Sequence, residues 1–495
     1  MKTLVKARYI LTYQDGRHEM LEDACLVYEG QEIIFIGSSY DGDYDELIDE
    51  SQNLLLPGFI DLDALGDVDH SLIFEGFPRE RRRDLSWSRD YFENHRKEEL
   101  SAEEEALKSL YAYVHLIRNG ITTAMPITSV ICKKSAETYE EIEAAAHHAG
   151  KLGLRVYLGP SYLMKKPVLD DGKIVLLDIS PEEQVQGLQN AKRFIETFHG
   201  AYDGLIHGVV VPERIEQQTE ESLKASKQLA DDFGVPIRLH AAQGLFEYEH
   251  IKARTGLSSI AYLESIGFLG EKTLIPHCLF VSGSPYVDEK GDHDLDILLK
   301  TGTSVIHCPL VYARSGMAMQ SFGRFRRKGV KLCMGTDTFP PDMIENIKIG
   351  SILAKYIDGD CAENSVLSYY EAATLGGARA LGRDDLGRLA VGAKADMIVI
   401  DLQDFELGVL DEPLTSLLFN GNGRLVKMSI INGRVVMRNR LIPDVDLDEL
   451  HQKAQSIFEH MKHSYYLRSS NKTLAETDFF PKDHVPTRDE MACNA

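Results

Sequence analysis

The chain has 495 residues, enough for one α/β barrel of roughly 250–400 residues plus a smaller accessory domain. Its 54 Lys and Arg face 77 Asp and Glu, and the formal charge of −23 disfavours nucleic acid and anionic membrane as partners. Seven scattered cysteines without a CxxC pair argue against a disulfide framework; no leader and no apolar run of about 18 residues is seen, so a reducing, cytoplasmic location is expected.

Residues 1–56 read as antiparallel strands. Ala24–Tyr28, Glu32–Gly37 and Asn53–Leu56 are short β-rich runs, and Asp15-Gly16 and Glu29-Gly30 mark turns between them. From Pro57 the pattern changes to strands alternating with helices. Ser101-Ala-Glu-Glu-Glu105 is a helix start, apolar residues recur at helical spacing from Leu107 to Ile117, and Asn119-Gly120 ends the helix. Further strands are expected at Ile121–Met125, Leu154–Leu158, Leu205–Val211, Val235–His240, Thr273–His277, Ser304–His307 and Val330–Asp337. With the run that follows Pro57 these make eight strands with helices between them, the pattern of a (β/α)8 TIM-like barrel.

Residues 388–445 turn β-rich again, and Asn432-Gly433 between two apolar runs is a two-residue hairpin signal. Neither this segment nor residues 1–56 makes a convincing sheet alone. The expected architecture is therefore a barrel of residues 57–387 inserted into a composite β-sandwich of residues 1–56 and 388–445. Residues 446–495 follow as a C-terminal helix to about residue 468 and a polar tail.

His240, His277 and Asp337 each end an apolar strand run. In a (β/α)8 barrel the C-terminal strand ends point into the active-site mouth, so two histidines and an aspartate delivered from three strands suggest a metal-hydrolase site. Each single residue has a blander reading, since a lone histidine at a strand end is usually a satisfied core residue.

A series of motifs in order carries a resemblance over nearly the whole chain. The motifs are Pro57-Gly58-Phe59-Ile60-Asp61, Asn119-Gly-Ile-Thr-Thr123, Leu239-His-Ala-Ala-Gln243, Pro276-His-Cys278, His307-Cys-Pro309, Gly335-Thr-Asp337, Ala372–Leu381 and Leu386–Asp396. The chain resembles the amidohydrolase superfamily, closest to its cytosine-deaminase and triazine-hydrolase branch. The resemblance implies one divalent metal held by a strand-one His-x-His, the strand-five His240 and the strand-eight Asp337. It implies that His277 polarises the bond under attack and that an acid after strand five shuttles protons.

The departures are as informative. Aligned on Pro57-Gly58, the two strand-one histidines fall on Asp63 and Leu65, and Gln243 stands where the family has Glu. Asp61 and Asp63 lie two apart on one strand, so a displaced Asp-x-Asp pair would give an oxygen-rich site suited to Mn or Fe, with Zn still open. The other reading is a site that has lost its metal. His70 is a candidate replacement ligand and Glu247 a candidate proton carrier. Substrate-contact candidates are Gln243, the single tryptophan Trp87, His307, Tyr312 and Arg314, whose fork suits a carboxylate. The run Arg79-Glu-Arg-Arg-Arg-Asp84 suggests either a phosphate-bearing ligand or pairing with acids elsewhere.

The expected function is metal-dependent hydrolysis of a non-peptide C–N bond, deamination or possibly dechlorination, of a small heterocycle or amidine. Asp63, His240 and Asp337 would hold the metal, with Asp61 as a further ligand, and His277, Asp337 and His240 would be catalytic. The alternatives are a metal-free acid–base enzyme and a non-catalytic binding protein on the same barrel. A homo-oligomer, most simply a dimer, is expected, with a small molecule as the only other partner.

Overall fold

The computed structural model describes residues 1–74, 86–362 and 364–469; the basic run 79–84 and the tail after Ser469 lie outside the described residues. Strands Lys2–Gln14, Arg17–Glu29, Glu32–Gly37 and Glu46–Pro57 come first. Asp15 and Gly16, at φ 51° and 84°, join the first two in the left-handed turn that suits the twist of a hairpin. Met397–Ile400, Val426–Ile431 and Arg434–Arg438 come from the other end of the chain. All seven form one sheet, with Met397–Ile400 antiparallel to Glu46–Pro57.

The two chain ends thus combine in one β-rich domain, whose seven strands are hydrogen-bonded in a single series. Period-two alternation divides its faces. Leu54, Leu56, Ile398 and Ile400 pack on the helical core, whereas Leu55, Met397 and Val399 join Val5, Ile10 and Met428 in a separate apolar cluster.

Eight further strands form two four-stranded parallel arcs. One runs, in spatial order, Ile206–Gly208, Arg155–Leu158, Ile121–Ile127 and Phe59–Leu65; the other runs Ile237–Arg238, Thr273–Pro276, Ser304–His307 and Lys331–Met334. A parallel bridge between Val210 and Ile237 links the arcs on one side. On the other, the Asp337 amide donates to the Asp63 carbonyl at 2.8 Å. Leu62, Met125, Tyr157, Val209, Leu274, Ile306 and Cys333 form one cluster, so the two arcs share an interior. Their alternate neighbours Ala124, Val156, Ile275, Val305 and Leu332 face the surrounding helices.

The helices begin where the side chains dictate. Ala102–Arg118 carries the full capping box from Ser101 and Glu104, and Asn119 closes it by donating from Nδ2 to the His115 carbonyl at 2.8 Å. Tyr139–Leu152 and Pro181–Phe198 start on equivalent boxes from Thr138–Glu141 and Ser180–Glu183. An unexpected hairpin, Lys165–Asp170 with Lys173–Asp178, follows the third barrel strand, and Ser88 bridges to its Leu169. The C-terminal helix spans Leu447–Arg468 and packs back on Ala102–Arg118.

A buried ion pair fastens the sheet to the first arc. Arg155 on the third barrel strand donates to the Asp396 carboxylate and, at 3.1 Å, to Asn432 Oδ1, while Asp396 also accepts the Asn432 amide at 2.7 Å. Asp396→Ala would leave the guanidinium buried without a counter-charge. The expected loss is about 3–5 kcal/mol of stability, seen in calorimetry as a lower melting temperature, with Asp396→Asn in between.

Candidate functional site

Asp63 ends up at the centre of the site because its strand lies at the seam between the arcs. Gly335 on the facing loop makes room for it: a Cβ there would come within 2.6 Å of the Asp63 Cβ and 2.9 Å of the Cys308 sulfur. The carboxylate is fully buried. His240 Nε2 stands 3.7 Å from Oδ1, His277 Nε2 3.6 Å from Oδ2, and the Arg238 Nη1 3.4 Å from Oδ1. Burial raises the carboxyl pKa, but His240, Arg238 and His277 outweigh it and hold the group below its usual range, hence ionised.

His240 is oriented from behind. Its Nδ1 lies 3.1 Å from the Glu213 carbonyl, which can only accept, so Nδ1 carries a proton and Nε2 faces Asp63. Among the described residues neither ring nitrogen of His277 has a hydrogen-bond partner, and burial lowers its pKa to about 3, so the ring is neutral. Two imidazole nitrogens thus converge on one carboxylate across gaps of 3.6–3.7 Å with no hydrogen bond to Asp63 Oδ1. Tetrahedral ligands about 2.1 Å from a metal stand about 3.4 Å apart. The donor set Asp63, His240 and His277 therefore fits one divalent ion.

Asp337 is placed beside this set. Its Oδ2 lies 3.8 Å from His277 Nε2, and burial followed by the Asp63 charge pushes its pKa well above the normal carboxyl value. The ligand set expected from the sequence was Asp63, His240 and Asp337; the three donor atoms that converge here are those of Asp63, His240 and His277, with Asp337 adjoining them through His277. His277 and Asp337 adopt left-handed φ of 70° and 43°, and Ala242 one of 54°. Such conformations cost about 1–3 kcal/mol each in non-glycine residues and persist where surrounding bonds hold them. Here those bonds run from the His277 amide to Ile306 O, from the Asp337 amide to Asp63 O, and from the Leu279 amide to Ala242 O.

Asp61 does not join the trio. It accepts from the Thr336 amide at 3.0 Å, from the Thr336 hydroxyl at 2.6 Å and from the Asp63 amide at 3.2 Å, which ties strand one to strand eight. Burial raises its pKa to about 7. Glu247 is likewise occupied: it caps its helix by accepting from the amides of Ala242 and Gln243, both at 2.7 Å, and from Ser259. His307 points outward, between the rings of Phe322 and Tyr369, away from the shared interior. Arg314 is exposed and donates to the Phe339 carbonyl at 3.2 Å. His307 and Arg314, expected as substrate contacts, are not among the residues that line the cavity.

A cavity of about 470 Å³ opens above the trio, a size that suits a small-molecule ligand. His240 and Asp337 line its floor; Leu65, Asp69, His70, Trp87, Lys166 and Arg214 are among its walls, and Tyr465 of the C-terminal helix completes it. Trp87 is buried edge-on against Tyr91, with the Lys166 ammonium 4.3 Å from its ring centre. Tyr312 covers His277, ring centres 4.9 Å apart.

Arg238 and Arg214 were not anticipated. Arg238 lies two residues before His240, so the same period-two rule that turns His240 inward places it in the interior. Arg214 lies three residues after Val211, on the loop after strand four, a position that a barrel directs to the mouth.

Residues 54–436 match the Amidohydrolase family. The chain belongs to that family. It is 26% identical over 466 residues to a 5'-deoxyadenosine deaminase of Methanosarcina acetivorans, covering 92% of this chain and 98% of that one. It is 24% identical over 444 residues to a 5-methylthioadenosine/S-adenosylhomocysteine deaminase of Thermococcus onnurineus, covering 89% and 95%. Among solved structures, a zinc-bound adenosine deaminase from Xanthomonas campestris superposes with a TM-score of 0.76 at 20% identity, over 93% of this chain and 98% of its own. A triazine hydrolase from Arthrobacter aurescens gives 0.76 at 18%, over 92% and 99%. The fold is thus the barrel with a β-rich domain that these proteins share.

Arg238 is the internal counter-charge of the site. It donates to the carbonyls of Met125 at 2.6 Å, Pro126 at 3.0 Å and Leu62 at 3.3 Å besides facing Asp63. Arg238→Met would leave Asp63 with no permanent cation and three carbonyls without a donor. Its melting temperature is expected to fall by several degrees in calorimetry, and an unchanged value would sink this role.

Proposed function

We propose that the protein is a hydrolase that deaminates a small aminated heterocycle in this cavity, with 6-aminopurine nucleosides as the first class to test. We read the two arcs as one (β/α)8 barrel over residues 57–387, joined to the composite β domain. The observation that carries the proposal is the convergence of Asp63, His240 and His277 beneath a cavity edged by a carboxyl group of raised pKa. The names of the relatives, deaminases matched over most of their length, support the same reaction class.

Asp63, His240 and His277 would hold a divalent ion, zinc or else manganese or iron, which when bound supplies a hydroxide-like water near neutral pH. Asp337 is the proton carrier: its raised pKa lets it take the proton of the attacking water and pass it to the leaving amino nitrogen. The carbon gains the water oxygen, the C–N bond breaks, and ammonia leaves. Neutral His277, held in a left-handed turn under Tyr312, would present its unprotonated nitrogen to the divalent ion. Gln243 cannot carry a proton, which places that traffic on Asp337.

A second reading keeps these residues without a metal. Arg238, 3.4 Å from Asp63, favours it as a permanent cation already facing the carboxylate. The reading also includes a cytoplasmic homodimer, which light scattering of the purified protein would check.

Ammonia release from 5'-deoxyadenosine, methylthioadenosine, cytosine and amino-triazines should identify at least one substrate. Asp337→Ala and His277→Ala should each lose about 10²- to 10⁴-fold in kcat. Folded protein that releases no ammonia from the whole panel would argue for a binding protein instead. Elemental analysis should find about one equivalent of metal in the wild type, lost in Asp63→Ala and kept in Arg314→Ala. Activity with no metal in the wild type would transfer the proposal to the metal-free reading.

A further inference from the structure

Arg214 projects into the cavity from the loop after strand four, and its guanidinium is only partly used. One nitrogen donates to the Gln243 side-chain oxygen. Among the described residues no carboxylate forms an ion pair with it; the nearest electrostatic partners are Glu216 and Glu213. Glu216 is itself buried, which raises its pKa, and with Glu213, Tyr312 and Asp337 it keeps the Arg214 guanidinium charged against the cost of burial. The lining also holds Lys166, but that ammonium is spent on the carbonyls of Val130 at 2.7 Å and Ser135 at 3.3 Å and on the Trp87 face. Asp69 is satisfied by Ser71, with bonds of 2.7 and 2.8 Å.

Gln243 matters because it is neutral. An amide oxygen steers one arm of the fork without cancelling its charge. The remaining N–H groups form a planar donor set of the kind that accepts a carboxylate in parallel bonds. Tyr312 stands beside the same pair, with its hydroxyl near Gln243 and Asp337. Glu213 and Asp337 also border the cavity, which disfavours a dianion and leaves room for a single negative charge at the fork.

We propose that Arg214, steered by Gln243, is a carboxylate subsite, and that the heterocycle taken by this cavity carries one carboxylate group. The proposal rests on the deaminase reading of the same cavity and adds the substrate class. Arg214 is the group that touches the ligand; Gln243 is a positioning residue that acts through it.

Calorimetric binding of two matched pairs tests it: adenosine-5'-carboxylate against adenosine, and 4-aminopyrimidine-5-carboxylate against 4-aminopyrimidine. In the wild type the acid of at least one pair should bind about 10- to 100-fold tighter than its neutral partner. Arg214→Met should erase the preference and Arg214→Lys should retain part of it. Gln243→Glu should erase it as well, since a carboxylate there takes up the fork, and a purely structural role for Gln243 would not move the acid-to-neutral ratio. Melting curves of each variant verify folding, and Arg214→Lys keeps the test open should Arg214→Met not fold. Equal binding within both pairs, no binding of any probe, or a preference that survives Arg214→Met would overturn the subsite. Ammonia release separates the two proposals: deamination without acid preference defeats the subsite alone, and acid preference without deamination of any probe defeats the deaminase reading alone.

Discussion

The site depends on a single buried carboxylate held where the first and eighth barrel strands meet. Asp63 contributes its backbone carbonyl to the seam and its side chain to two histidines and an arginine. Removing a carboxylate from water is expensive unless counter-charge is close. Arg238 supplies that charge, and the two imidazoles face the same carboxylate. Gly335 permits the approach, and Asp61 locks the neighbouring backbone to Thr336, so the geometry of the trio is set by the seam itself.

Buried charge recurs as the device that holds the loops around the mouth. Under the walls of the cavity, Asp67 pairs with Lys108 at 3.0 Å, Lys108 with Glu105 at 2.9 Å, and Lys133 with Glu105 and with Glu141 at 2.7 Å. Asp67 also accepts the Ser129 amide at 3.1 Å, and Glu137 the Ser161 amide at 2.6 Å. These bonds join the loops after strands one, two and three to the helices outside them. Arg155 with Asp396 does the same between barrel and sheet. An acidic chain thus spends several of its few cations in the interior, at positions where a missing partner would be costly.

The C-terminal helix has a place in this scheme. Tyr465 lines the cavity, and the Arg468 carbonyl accepts the Ser88 amide at 2.8 Å. The helix therefore forms a wall of the mouth, next to Trp87 and His70, and the segment beyond the β domain returns to the chemistry. That return was not legible from the amphipathic pattern of the helix, which shows an apolar face but not what the face meets.

Periodicity and turn chemistry by themselves determined much of this protein. The capping box at Ser101, the hairpins at Asp15-Gly16 and Asn432-Gly433, and the strand-helix alternation from Pro57 are local, so short stretches of chain suffice to read them. The ordered motifs likewise marked His240, His277, Asp337 and Asp63 as residues of one site. Only the tertiary structure decided what each of those residues faces. Both histidines face Asp63, Asp337 stands beside His277, and Asp61 and Glu247 accept from backbone amides. His307 and Arg314 lie outside the cavity lining, Arg214 lies within it, and Arg238 sits in the interior against Asp63. Each of these outcomes depends on which way a strand end turns and on what lies across a seam some 270 residues away in sequence, as between Asp61 and Thr336 with a separation of 275. A local pattern carries no such information, because the counter-charges that make a buried carboxylate tolerable arrive from other strands.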